Sequence, residues 1–176
     1  MKTLASLVLI GMPASGKSTV GVLAAKALGL HFLDTDLLLQ KKMGLRLPEI
    51  LLREGASGFL TAENHLLAEL AFEDAVVSTG GSAIYHLQGM ENLQRRGTVV
   101  WLDVPFAEIE RRLSDVTTRG VVLAPGQSLR DLYQERQPLY EKWADLTLGV
   151  EREDLETTVS RLLSSLRTRS GLESPS

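Results

Sequence analysis

The run Gly11-Met12-Pro13-Ala14-Ser15-Gly16-Lys17-Ser18-Thr19 satisfies the pattern G-x-x-x-x-G-K-[ST] at each fixed position. In such a loop, glycines let the backbone curl until successive N–H groups converge on phosphate oxygens. The helix that follows turns its positive end to the same place. Gly11, Ala14, Ser15 and Gly16 then form the cradle and Lys17 reaches the β and γ phosphates. Ser18 offers a hydroxyl to Mg²⁺, and Thr19 carries the loop into the helix. The chemistry is phosphoryl transfer from a nucleoside triphosphate. The chain has no Asn-Lys-x-Asp guanine motif, so ATP with Mg²⁺ is the expected pair of cofactors. A glycine turn that merely precedes a lysine gives the same string, but only a true phosphate loop requires a strand before it and a helix after it.

Two further clusters carry polar chemistry. Asp34 and Asp36 are separated by one residue, which at a strand-to-helix turn lets one carboxylate serve a metal and the other a substrate. Asp34 also suits the cap of a helix starting near Leu37. Farther on, Ser78-Thr79-Gly80-Gly81-Ser82 places two residues without Cβ where a ligand can approach the backbone closely.

These groups need a scaffold that brings them together, and the spacing of apolar residues predicts one. Residues 4–10, 31–34, 75–78, 98–102 and 146–148 are short apolar runs suited to buried strands. Residues 18–28, 47–53, 61–72, 106–113, 129–143 and 155–166 space their apolar side chains at helical intervals. That alternation predicts an α/β fold with a parallel sheet flanked by helices, and its functional site beyond the carboxyl ends of the strands. All the motifs above fall at such ends.

The chain has 176 residues, 44% of them hydrophobic, which suits a single packed domain. We expect that domain over residues 1–166 and a flexible tail over 167–176. A formal net charge of -3 argues against a nucleic-acid partner, which needs a basic face. Residues 4–10 are too short to span a bilayer, so no membrane association is expected. With no cysteine, neither disulfides nor thiolate metal sites are available, and a cytoplasmic location fits best.

The phosphate loop, Asp34-Thr35-Asp36, Ser78-Thr79-Gly80-Gly81, Arg119, Glu135-Arg136-Gln137-Pro138-Leu139-Tyr140 and Ala144-Asp145 occur in an order and spacing that resembles the shikimate kinase family over roughly residues 4–165. The resemblance implies a five-stranded parallel sheet of the nucleoside-monophosphate-kinase type with a mobile lid at about 114–128 and an acceptor-binding region at about 35–72. It implies a transferase of aromatic amino acid biosynthesis. The activity implied is ATP-dependent phosphorylation of a small hydroxylated molecule by a monomer, and shikimate is the first candidate. By the same resemblance Lys17, Asp36 and Arg119 are catalytic, with Asp36 taking the proton of the acceptor hydroxyl. Arg112 and Arg119 join the loop in binding ATP, with Arg112 against the adenine. Ser18, Asp34 and Ser78 orient the metal. Asp36, Gly80, Gly81, Arg136 and the residue at position 60 contact the acceptor.

The acceptor half departs from the family pattern. Where the family reads Gly-x-x-x-Phe-Arg-x-x-Glu, this chain reads Gly55-Ala56-Ser57-Gly58-Phe59-Leu60-Thr61-Ala62-Glu63, so Leu60 stands in place of an arginine that holds the substrate carboxylate. Glu63 then lacks the cation it supports in the family. Arg46 and Arg53 are the nearby candidates for a substitute, although each suits a solvated helix surface equally. Ser82 replaces the third glycine, which narrows the acceptor floor or adds a hydroxyl to it. In the lid Arg119-Gly120-Val121-Val122 lacks the usual proline. Two alternatives therefore stay open: a kinase for another polyol or hydroxy acid with Leu60 against its apolar part, and a nucleotide-dependent regulator without efficient transfer.

Overall fold

The computed structural model describes residues 6–114, 121 and 123–169. Five strands, β1 (Ser6–Ile10), β2 (His31–Asp34), β3 (Ala75–Ser78), β4 (Gly97–Asp103) and β5 (Leu146–Gly149), form one sheet in the order β2-β3-β1-β4-β5. All pairs are parallel. β1 and β3 are buried along their whole length, which is why they read as continuous apolar runs rather than alternating ones. The helices are α1 (Lys17–Leu28), α2 (Thr35–Met43), α3 (Leu47–Glu69), α4 (Leu87–Arg96), α5 (Phe106–Ser114), α6 (Leu129–Trp143) and α7 (Leu155–Arg169).

Register fixes the site. Ser78 on β3 is opposite both Leu9 on β1 and Asp34 on β2. The last residues of β2 and β3 therefore stand beside the end of β1, next to the loop that leaves it. The main core covers both sheet faces, from Leu9, Val77 and Val100 out to Leu67 and Leu162. A second, small apolar cluster of Leu39, Ile50 and Phe59 joins α2 to α3, with Leu47 and Leu60 packed around it. The acceptor region expected at 35–72 thus has a core of its own.

The helix expected over 61–72 begins earlier and ends at Glu69, because α3 runs on past a break at Gly55 (φ 68°, ψ 178°). α2 was foreseen only at its start, as a helix that Asp34 caps, and α4 was not foreseen. α7 continues through Arg169 instead of stopping at 166, and Arg169 reaches back to the Asp145 carbonyl. Seven of the fifteen residues of the expected lid, 115–120 and 122 with Arg119 among them, lie outside the described residues, as does the tail from 170 onward.

Candidate active site

The loop between β1 and α1 folds back on itself around positive-φ backbone at Gly11, Ala14 and Gly16, with Ser15 N–H donating to the Met12 carbonyl (3.1 Å). Gly16, at φ 93°, is the cap of α1, a conformation that a Cβ would strain. Lys17 is buried. Its Nζ donates to the carbonyls of Gly11 (2.8 Å) and Met12 (2.8 Å) and to Ser15 Oγ (3.3 Å). Burial lowers its pKa to about 8. The nearby Asp36 and Asp34 resist that shift and Arg136 adds to it.

Ser18 Oγ donates to Asp34 Oδ2 (2.7 Å) and lies 3.2 Å from Ser78 Oγ. The two readings of Asp34 both hold in the structure, because its other oxygen, Oδ1, caps α2 by accepting from the Asp36 and Leu37 amides. Three oxygens from α1, β2 and β3 thus meet at the strand ends, a hard donor set that fits Mg²⁺. Asp36, in the first turn of α2, faces the same cavity. Burial, reinforced by the charges of Glu63 and Asp34 and opposed by Lys17, pushes its carboxyl up to about 6.

The cavity holds about 250 Å³ and is lined by the loop residues Pro13, Ala14, Gly16, Lys17, Ser18 and Thr19 on one side. Asp36, Leu47, Phe59, Thr79, Gly80, Gly81, Ser82, Val121 and Arg136 complete it. Gly80 and Gly81 are required by close approach. A Cβ at Gly80 would stand 2.6 Å from Glu63 Oε1 and 2.9 Å from Asp36 Oδ1, and one at Gly81 would stand 2.8 Å from an Arg136 nitrogen. Arg136 is only 2% exposed. Its Nε donates to Tyr85 Oη (3.2 Å) and its guanidinium sits 5.3 Å from the Tyr85 ring centre. Among the described residues it forms no ion pair. A buried guanidinium without a carboxylate is a cation held ready for an anionic ligand.

Other expected residues lie apart from this group. Arg112 is tied to Glu108 (2.7 Å) and to the Ala14 carbonyl (3.1 Å), which places it against the outside of the phosphate loop. Leu60 packs into the cluster of Leu39, Ile50 and Phe59 and is not among the cavity-lining residues. Neither substitute cation arrives: Arg53 pairs with Glu54 (3.2 Å) with its side chain 71% exposed, and Arg46 is exposed at the start of α3. Glu63, by contrast, is buried. Its Oε2 accepts from Ser82 Oγ (2.6 Å) and is 2.8 Å from His86 Nε2, while Oε1 has no partner. Tyr85 and His86 had drawn no notice in the sequence, because they flank a short 3₁₀ turn that carries no recognisable pattern.

A sequence model of the shikimate kinase family matches residues 13–167. The chain belongs to that family. It is 38% identical over 161 residues to a shikimate kinase of Synechococcus elongatus, covering 89% of this chain and 84% of the relative. It is 35% identical over 157 residues to the Aquifex aeolicus enzyme, covering 89% and 93%. Among solved structures it superposes on shikimate kinase from Acinetobacter baumannii in complex with shikimate, with TM-score 0.87, 34% identity and 96% of each chain covered. The structure of the Aquifex aeolicus protein gives TM-score 0.80 at 32% identity, with 96% of this chain and 99% of that one covered. This shikimate kinase family member is an ATP-dependent kinase that phosphorylates a hydroxyl group and uses Mg²⁺. That sets aside the regulator without transfer.

Proposed function

We propose that this chain transfers the γ-phosphoryl group of ATP to a hydroxyl of shikimate, giving shikimate 3-phosphate. The observation that carries the reading is Arg136, a buried cation without a carboxylate partner, beside Asp36 in the cavity that the phosphate loop enters. An acceptor that is both a carboxylate and a polyol uses both groups. Support also comes from the bound shikimate in the Acinetobacter baumannii relative, whose fold this chain shares.

Ser18, Asp34 and Ser78 would hold Mg²⁺, and the ion would supply charge neutralisation on the phosphates. Lys17 exchanges its contacts with the Gly11 and Met12 carbonyls for phosphate oxygens. Asp36 accepts the proton of the acceptor hydroxyl as its oxygen bonds to the γ phosphorus and the bond from that phosphorus to the ADP oxygen breaks. The proton then passes to solvent. Arg119 is our candidate for the cation that the lid brings to the transferring group, and Arg112 for a contact on the nucleotide side. The protein acts as a cytoplasmic monomer in this reading, with residues 35–72 as its acceptor region.

With Leu60 in place of an arginine, Arg136 holds the carboxylate without the usual second partner. Loss of one charge-assisted hydrogen bond costs ~1.5–3 kcal/mol, or ~10–150-fold in affinity. The packing of Leu60 within its own cluster gives no support to an acceptor with an apolar edge at that position. Steady-state kinetics over shikimate and a panel of hydroxy acids and sugars tests the proposal. The expected result is MgATP-dependent phosphorylation of shikimate with an elevated KM. Transfer to an acceptor without a carboxylate, and none to shikimate, would overturn it.

A further inference from the structure

Ser82 is the third residue of the acceptor floor, after Gly80 and Gly81, and it forms part of the cavity wall while being only 6% exposed. The direction of its hydroxyl proton follows from its surroundings. Oγ lies 2.6 Å from Glu63 Oε2, a length typical of a hydroxyl donating to a carboxylate. Glu63 is 2% exposed, and the same Oε2 is held by His86 Nε2 at 2.8 Å. If Ser82 turned its proton into the cavity, Oε2 would keep only His86, beside an Oε1 that already has no partner. A buried carboxylate left that poorly satisfied is costly. The serine proton therefore stays directed at Glu63, and the serine oxygen has only lone pairs left to offer.

A lone-pair site rejects a carboxylate oxygen and accepts a hydroxyl. Its neighbours provide for the other groups of the ligand, with Arg136 against Gly81 for an anionic end and Asp36 against Gly80 for the reacting hydroxyl. We infer that Ser82 Oγ accepts a hydrogen bond from a second acceptor hydroxyl, one that is not phosphorylated, and that Ser82 is a specificity-determining residue of this chain. Glu63 and His86 act through it, as positioning residues that fix the direction of the serine proton. The inference rests on shikimate, or a close polyhydroxy acid, being the acceptor.

The test is a cycle of protein and ligand changes read by calorimetry with a non-hydrolysable ATP analogue and Mg²⁺ present. The ligands are shikimate and its two analogues that each lack one of the hydroxyls not phosphorylated. In wild type, deletion of one of these hydroxyls is expected to weaken binding about tenfold. In Ser82→Ala the same deletion is expected to cost less than about twofold, even if all ligands bind more weakly, because a general structural effect cancels in the cycle. Glu63→Gln is the second variant. An amide N–H turned onto Ser82 occupies the lone pair and releases the serine proton, so the penalty shrinks there too. Equal penalties in wild type and Ser82→Ala for both analogues would overturn the inference and leave the substrate assignment standing. A wild type that neither binds nor phosphorylates shikimate would remove the substrate assignment and this inference with it.

Discussion

Two carboxylates in the acceptor half are held in unequal states, and each makes a prediction. Asp36 is half-buried beside Glu63 and Asp34, so its carboxyl titrates near 6 instead of the ordinary 3.8. In its proposed role as proton acceptor it must be ionised, and kcat/KM is expected to fall as pH drops through about 6. The same shift acts oppositely on stability. A folded-state value above the unfolded one gives stability that is fully present below pH 4 and lost as pH rises through 6. Asp36→Asn should therefore abolish most transfer yet stabilise the fold at pH 8 by on the order of 2 kcal/mol, seen as a higher Tm, with no gain at pH 4. Thermal melts at the two pH values check this, and an equal change at both would refute it. Glu63 is the other case, with Oε1 left without a partner. Leu60 is one helical step away at i−3 on α3, on the same face. Leu60→Arg is expected to bring a guanidinium to Glu63 and to the substrate carboxylate, lowering KM for shikimate about tenfold with kcat changed less. An unchanged or raised KM would mean that another group already completes the clamp.

At the level of elements, α3 is the piece that aims Phe59 and Glu63 at the acceptor, and Gly55 sets its direction. The glycine sits at φ 68°, ψ 178° inside the helix, and a Cβ built there meets nothing within 4 Å. Only conformation is at stake, so Gly55→Ala should cost ~1–3 kcal/mol and raise the acceptor KM without touching that for ATP. Urea unfolding with an unchanged m-value measures the first part, and an equally stable variant would show that α3 straightens without loss. This break was visible in the sequence only as a gap between two helical patterns. Other elements were legible to different degrees for physical reasons. The strands are short and buried, so their apolar runs stood out. α6 was read at both ends from the helical spacing of its apolar side chains, and in the structure Ser128 and Asp131 cap its start reciprocally. The start of α2 was marked by Asp34, but its extent hid behind three consecutive leucines, of which Leu39 is buried and Leu37 is 63% exposed. α4 hid behind Gly89, a poor helix residue that is retained where its Cα packs tightly on Leu67. In the site, Lys17, Ser18, Asp34 and Asp36 were legible because local spacing places them. Glu63 with Ser82 and His86 was not, since their meeting depends on α3 packing against the turn after β3.

At the scale of the molecule, the parallel sheet gathers two half-sites into one cavity but anchors them on different elements. Lys17 at the start of α1 and Arg136 on α6 both line that cavity, and in the proposed reaction the first meets the phosphates and the second the acceptor anion. Both cations are buried, and each lies in the field of the other, since Arg136 contributes to the lowered pKa of Lys17. Two like charges held in a poorly hydrated cavity favour any anion that enters, so ligand binding and folding stability are linked here. A ligand at 100 times its Kd adds about 2.7 kcal/mol, which for a chain of this size is about 5–11 °C in Tm. MgATP and shikimate should each produce such a shift in wild type. Lys17→Ala should lose most of the shift with MgATP and keep that with shikimate, and its turnover should fall at least ~10²-fold. Arg136→Ala should do the reverse, keeping the nucleotide shift and losing the acceptor shift. Thermal scans of the three proteins with each ligand separately make the comparison. If Lys17→Ala abolished both shifts, the half-sites would be one cooperative unit, and the assignment of phosphate to α1 and acceptor to α6 would fail.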